Sequence, residues 1–136
     1  MERIKAIIDR ATDGTYSVYC EEVPSFFGMG DTIDQAKAEM LETIRLTKEE
    51  IGREAAAVYP DWLDGEYEIE YKYDVQGFLE YYAGVITPTA LGKIAGINPK
   101  QMWNYMHGVA KPRKAQVDKI ESALHKLGNE LIHTSF

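Results

Sequence analysis

The chain has 136 residues, with 15 Lys and Arg against 22 Asp and Glu and 45% hydrophobic residues, enough for one compact domain or two very small ones. No stretch reaches the roughly 18 apolar residues of a membrane span, and Met1–Arg10 lacks the apolar run and small-residue cleavage site of a secretory signal, so a cytoplasmic protein with no membrane partner is expected. A lone cysteine, Cys20, excludes an intramolecular disulfide and a multi-cysteine zinc site, and reads as a small hydrophobe in a strand.

In chain order, residues 3–9 and 15–21 form two short apolar-rich segments around Thr12-Asp13-Gly14, a turn set in which Gly14 can take a positive φ. Tyr16, Val18 and Cys20 alternate with Ser17, Tyr19 and Glu21, which predicts a hairpin with one buried face. Ser25–Gly30 is glycine-bounded and too short for a helix, and reads as a third strand. Thr32 and Gln35 stand at capping-box spacing, with Asp31 and Asp34 adding favourable charge at a helix start. From there Ile33, Ala36, Met40, Ile44, Thr47, Ile51, Ala55 and Val58 recur at three- and four-residue steps, predicting one long helix with one stripe on a core. Glu39, Glu42, Lys48, Glu49, Glu50, Arg53 and Glu54 fall largely off that stripe, on a solvated face. Pro60 and Asp64-Gly65 are expected to end it. Residues 66–74 then alternate charged and apolar side chains, the period of a half-buried strand whose charged row would protect a sheet edge.

From Val75 the pattern changes to short helices: one around Phe78, Leu79, Tyr82 and Val85, then 89–96, 99–107 and 114–127, with Gly84, Gly96, Gly108 and Gly128 expected as C′ residues. Charge changes at the same place. Residues 1–76 hold 8 basic and 18 acidic side chains, net −10, whereas residues 77–136 hold 7 and 4, net +3. The second part could meet a polyanion that the first would repel. The expected class is α+β: a βββαβ domain over residues 1–74, then an all-α domain over residues 75–136.

The most specific stretch is Leu91–Gly108. Ala95 is small where two helices approach, Gly96 supplies a tight turn, Ile97 fills the space beneath it, Asn98 is an N-cap and Pro99 suits the first helical position. Met102, Tyr105 and Met106 point inward, leaving Lys100, Gln101, Trp103 and Asn104 outward near the start of the second helix, where a recognition helix presents side chains to the major groove. Gln and Asn can pair bidentately with adenine, and Lys can reach guanine or phosphate.

Residues 77–128 resemble the Cro/repressor-type (XRE-like) helix-turn-helix family. The resemblance implies double-stranded operator DNA as a partner and an even oligomer, with Asn98, Lys100, Gln101, Trp103 and Asn104 at the recognition helix and Lys111, Arg113 and Lys114 on backbone phosphates. Trp103 departs from the small polar residue common there; it either packs on a thymine methyl or sugar, or the helix docks differently. In the first part, Asp13–Val18, Val23-Pro24, Gly28 and above all Gly30–Ala36 resemble the HicB-type antitoxin domain, a degenerate RNase H-like unit. That resemblance implies a small basic HicA-like toxin as a partner and a helix-turn-helix that represses the operon encoding both. The alternative is a stand-alone DNA-binding regulator whose first domain senses a ligand or dimerises.

Catalysis is not expected, nor is a metal or other cofactor. Asp9, Asp13, Asp31 and Asp34 sit at strand ends, in a turn and at a helix cap, and His107, His125 and His133 have no ligand spacing.

Overall fold

A computed structural model describes residues 1–51 and 60–136. It is a mixed α+β structure with a four-stranded mixed sheet and five α-helices among those residues, and it divides into two compact units, Met1–Tyr73 and Asp74–Phe136. At the start of the second unit the Asp74 carboxylate accepts from the Gly77 amide (2.6 Å) and caps the helix that follows.

In the first unit β1 (Glu2–Arg10), β2 (Tyr16–Cys20), β3 (Phe27–Gly30) and β4 (Tyr67–Lys72) stand in the order β3-β2-β1-β4. β1 and β2 form the expected antiparallel hairpin, with Gly14 at φ 87° in its turn and Asp13 accepting from both the amide (3.0 Å) and the hydroxyl (2.7 Å) of Thr15. β4 lies parallel to β1 at one edge, its tyrosines and Ile69 half-buried and its charged residues exposed. That arrangement needs a crossover, which the helix supplies.

The helix α1 (Ile33–Ile51) starts at Thr32, whose hydroxyl accepts from the Gln35 amide (3.1 Å). The Gln35 side chain reaches back to the Asp31 amide (2.9 Å), one residue earlier than the expected reciprocal bond to Thr32. Ile33, Ala36, Met40 and Ile44 are buried as the stripe predicts. Its continuation through the Ile51 side chain, Ala55 and Val58, with Arg53 and Glu54 opposite, lies outside the described residues.

β3 can lie directly under α1 because its inward residues are glycines. A Cβ on Gly28 would overlap the Ala36 carbonyl oxygen and the Met40 amide nitrogen, and one on Gly30 would stand 2.5 Å from the Gln35 Cβ. A 3₁₀ turn at Asp61–Asp64 completes the core by inserting Trp62 and Leu63, which belong to no helical or strand periodicity in the sequence. Trp62 packs edge-on against Phe26 and Tyr67, at centroid distances of 6.0 and 4.9 Å.

The second unit consists of α2 (Val75–Tyr81), α3 (Pro88–Ala95), α4 (Pro99–Met106) and α5 (Lys114–Ile132), around a core of Leu79, Leu91, Ile97, Met102, Tyr105 and Ile120. Three expectations are corrected here. Val85 lies beyond α2 and is exposed, so it adds nothing to that core. Gly84 does not take a left-handed conformation, whereas Gly96 and Gly108 do, at φ 75° and 71°. Gly128 lies within α5, which continues four residues past it; a helix whose earlier turns are packed tolerates the roughly 1 kcal/mol that an internal glycine costs.

Candidate functional site

α3 and α4 are joined by Gly96, Ile97 and Asn98, and each residue of that turn has one physical task. Gly96 is left-handed and ends α3, while the Ile97 amide donates to the Gly92 carbonyl (2.9 Å), closing the Schellman arrangement and burying the Ile97 side chain. Asn98 is extended, and its side-chain oxygen accepts from the Gln101 amide (2.8 Å), so α4 begins on a satisfied cap with Pro99 in its first turn. The close approach of the two helices is made by Gly92 rather than Ala95. A Cβ on Gly92 would stand 2.6 Å from the Met102 Cγ and 2.7 Å from the Ile97 carbonyl oxygen, whereas Ala95 is only half-buried.

Met102 and Tyr105 point into the core as expected, and Met106 is half-buried against it. Lys100 and Trp103 are exposed, while Gln101 and Asn104 are half-buried. Helical periodicity puts Lys100, Trp103, Asn104 and His107 on one face, at i, i+3, i+4 and i+7. Gln101 stands at the margin of that face. Trp103 is 53% exposed, and the His107 ring is stacked on it at 4.0 Å and 20°, with His107 Nδ1 2.9 Å from the Trp103 carbonyl oxygen. One face of the indole is therefore already occupied. His107 is a member of this surface that sequence reasoning missed; the signal was its four-residue spacing from Trp103.

Lys111, Arg113 and Lys114 are exposed on the connection to α5 and at its start. Arg113 is the N-cap residue and makes no side-chain cap bond, so the first amides of α5 and two cations stand together where a helix end favours anions. Lys114 lies 3.4 Å from Asp118, an exposed pair worth little in water. The structure thus gathers Asn98, Lys100, Gln101, Trp103 and Asn104 on α4 and its cap, and puts the other three basic residues on the segment leading into α5. A separate shallow cleft of about 410 Å³ between α3 and α5, floored by Ile94, Ala95 and Ala123, contains none of the eight.

The first unit presents acid instead. On α1, Arg45 binds Glu42 (2.9 Å) and Glu49 (2.6 Å), which holds the Glu42 carboxyl below its ordinary range, while Glu39 and Glu50 are also exposed. Lys37 donates to the Tyr73 hydroxyl (2.7 Å) and lies 4.2 Å from the Tyr71 ring centroid; burial there pushes its ammonium below the usual lysine value. Among the described residues no cluster of three or more His, Cys, Asp or Glu is placed to hold a metal, and no helix is long and apolar enough to cross a membrane.

The UPF0150 protein ssl0738 of Synechocystis sp. is 45% identical to this chain over 47 residues, a segment covering 35% of the chain and 65% of that relative. No family model matches the chain, and no solved structure does.

Proposed function

We propose that the chain is the antitoxin of a type II toxin–antitoxin pair, neutralising a HicA-like RNA-cleaving toxin through its first unit and repressing its own operon through its second. The observation that carries this reading is the 45% identity to a UPF0150 protein, since UPF0150 is a HicB-like family. Charge supports it. A net −10 over residues 1–76 would steer a basic toxin toward the first unit and keep nucleic acid away from it.

For the second unit we propose operator binding as a cytoplasmic dimer or higher even oligomer, because one recognition helix reads only a few base pairs and half-sites about 34 Å apart call for twofold symmetry. α4 is the proposed recognition helix, with Lys100, Gln101 and Asn104 toward base edges. Lys111, Arg113 and Lys114 are assigned to phosphates. The Trp103–His107 stack favours contact through the edge or open face of the indole, against a thymine methyl or a sugar. No catalytic step and no cofactor enters this proposal.

The test is co-expression with the product of the neighbouring short open reading frame, scored for relief of growth arrest and for co-purification. Rescue with a stable complex is expected. A neighbour that is harmless, or toxic but neither bound nor relieved, would leave a DNA-binding regulator with a different first-unit ligand. Footprinting on the chain's own promoter tests the second half: Lys100, Gln101 and Asn104 to Ala together should abolish sequence preference. Lys111, Arg113 and Lys114 to Ala should weaken every sequence and lower the salt slope by roughly 0.9 per lost contact.

A further inference from the structure

His107 ends α4, and the Trp103 carbonyl oxygen one turn back accepts from it twice, from its amide (3.0 Å) and from Nδ1 (2.9 Å). A carbonyl oxygen only accepts, so Nδ1 carries a proton and the neutral ring keeps its lone pair on Nε2. The ring also lies against the Trp103 indole, with centroids 4.0 Å apart and planes 20° from parallel. Bond and stack together fix the imidazole of an exposed residue. A second proton can enter only at Nε2, and the imidazolium so formed is favoured over an indole face.

α2 and α3 pack against α4, and their charged and titratable residues decide what such a cation would meet. α2 and its cap bring Asp74, which accepts from the Gly77 amide, Glu80, which accepts from Gln76 (3.3 Å), and Tyr81. α3 brings Lys93; α4 itself has Lys100 and Tyr105, and the connection after it has Lys111. All three lysines are exposed, and Lys100 shares the helix face of His107. They oppose a further positive charge in the free chain, and an anion at this end of α4 would reverse that. The base readers proposed above precede His107 along α4, and the far end of a recognition helix stands nearer the sugar–phosphate backbone.

We propose that His107 is a proton-linked contact to a DNA phosphate, made by the imidazolium through Nε2 and held in place by Trp103. The neutral ring would turn a lone pair toward the phosphate oxygens; only the charged ring donates to them, so operator binding takes up one proton from solvent. Affinity therefore climbs as pH falls through the imidazole range and levels off once the free chain is protonated as well. The proposal rests on the operator-binding reading of the second unit and adds to it a residue and a pH dependence.

Fluorescence anisotropy of the full chain on a duplex of its own promoter, at one fixed salt concentration from pH 8 to pH 5.5, tests it. Binding about tenfold tighter at pH 5.5 is expected, the effect of a one-unit shift in one group. His107→Gln should flatten the profile. His133→Gln is the control: His133 ends α5 with the same bond, Nδ1 2.7 Å from the Asn129 carbonyl oxygen, and its loss should leave the gain intact. In proton NMR, the His107 ring should titrate at a higher pH with duplex than without. A flat wild-type profile, a gain that survives His107→Gln or is lost with His133→Gln, or a ring titration indifferent to duplex would each overturn the proposal while operator binding stands. No binding to the duplex at any pH would overturn the operator-binding reading and this contact with it.

Discussion

Both units bring a helix unusually close to a second element, and both do so over a glycine, yet they stack different things on it. In the first unit the backbone of β3 meets the backbone of α1 at Gly28; in the second, Gly92 of α3 meets the Met102 side chain and one carbonyl of the turn. Backbone cannot yield, whereas a methionine side chain can turn aside. The same device is therefore rigid in the acidic unit and more forgiving in the basic one. Each unit also holds one of the two tryptophans, Trp62 in the first and Trp103 in the second, so the stabilities can be followed separately by replacing one or the other with Phe.

The largest expected effect is at Gly28. Gly28→Ala should cost the first unit about 3 kcal/mol or more, read as a lower denaturation midpoint of Trp62 fluorescence in a Trp103→Phe background, while the second unit is unaffected. A loss below about 1 kcal/mol would mean that α1 and β3 are not in backbone contact.

Next comes alkaline pH, which should separate the units by chemistry rather than by packing. Burial pushes the Cys20 thiol up to about 11, from 9.0 when exposed, and raises the phenols of Tyr67 and Tyr71 as well. A group with a raised folded pKa stabilises the fold below its unfolded value and loses that contribution as pH climbs through the folded one. The first unit should thus weaken progressively above pH 9, by on the order of 2 to 3 kcal/mol at pH 11 from Cys20 alone. Cys20→Ala should remove much of that pH dependence from the Trp62 transition. For the same reason Cys20 should resist thiol reagents at neutral pH until the first unit unfolds.

Gly92→Ala should cost the second unit about 2 kcal/mol, less than the change at Gly28, because Met102 can move and only the Ile97 carbonyl cannot. A cost equal to or above that at Gly28, both measured by the same denaturant melt, would break the comparison.

What is legible in the sequence divides from what is not by range. Short-range chemistry was legible: the Gly14 turn, the Thr32 cap, the strict alternation of β4 and the Asn98-Pro99 start of α4 each depend on neighbours within a few residues. Features set by contacts from elsewhere were not. Ala95 and Gly92 are both small residues on α3, and only the position of Met102 and the turn decides which is the point of approach. Trp62 and Leu63 look like part of a helix-ending loop until the 3₁₀ turn is seen to deliver them to the sheet. Gly128 has the composition of a stop signal, but the helix continues through it. On the candidate interface, the residue types were legible and the stacking of His107 on Trp103 was not, because a four-residue spacing brings two rings near each other without fixing their planes.

The smallest expected effect also sharpens the comparison most finely, since it asks whether a residue of the basic unit serves the fold, DNA, or both. Asn98 uses its side-chain oxygen to cap α4 and keeps its amide nitrogen for another partner. Asn98→Ala should destabilise the second unit by about 1 kcal/mol, while Asn98→Ser should retain most of the cap and cost only a few tenths. Affinity for operator DNA, measured at one fixed salt concentration, then distinguishes the roles. If Asn98 acts only as a cap, the Ser variant binds like the wild type and the Ala variant is weakened only by loss of its folded population. If the amide also touches DNA, Ser should lose affinity at unchanged stability, and Asn98 would join the proposed readers Lys100, Gln101 and Asn104 rather than support them.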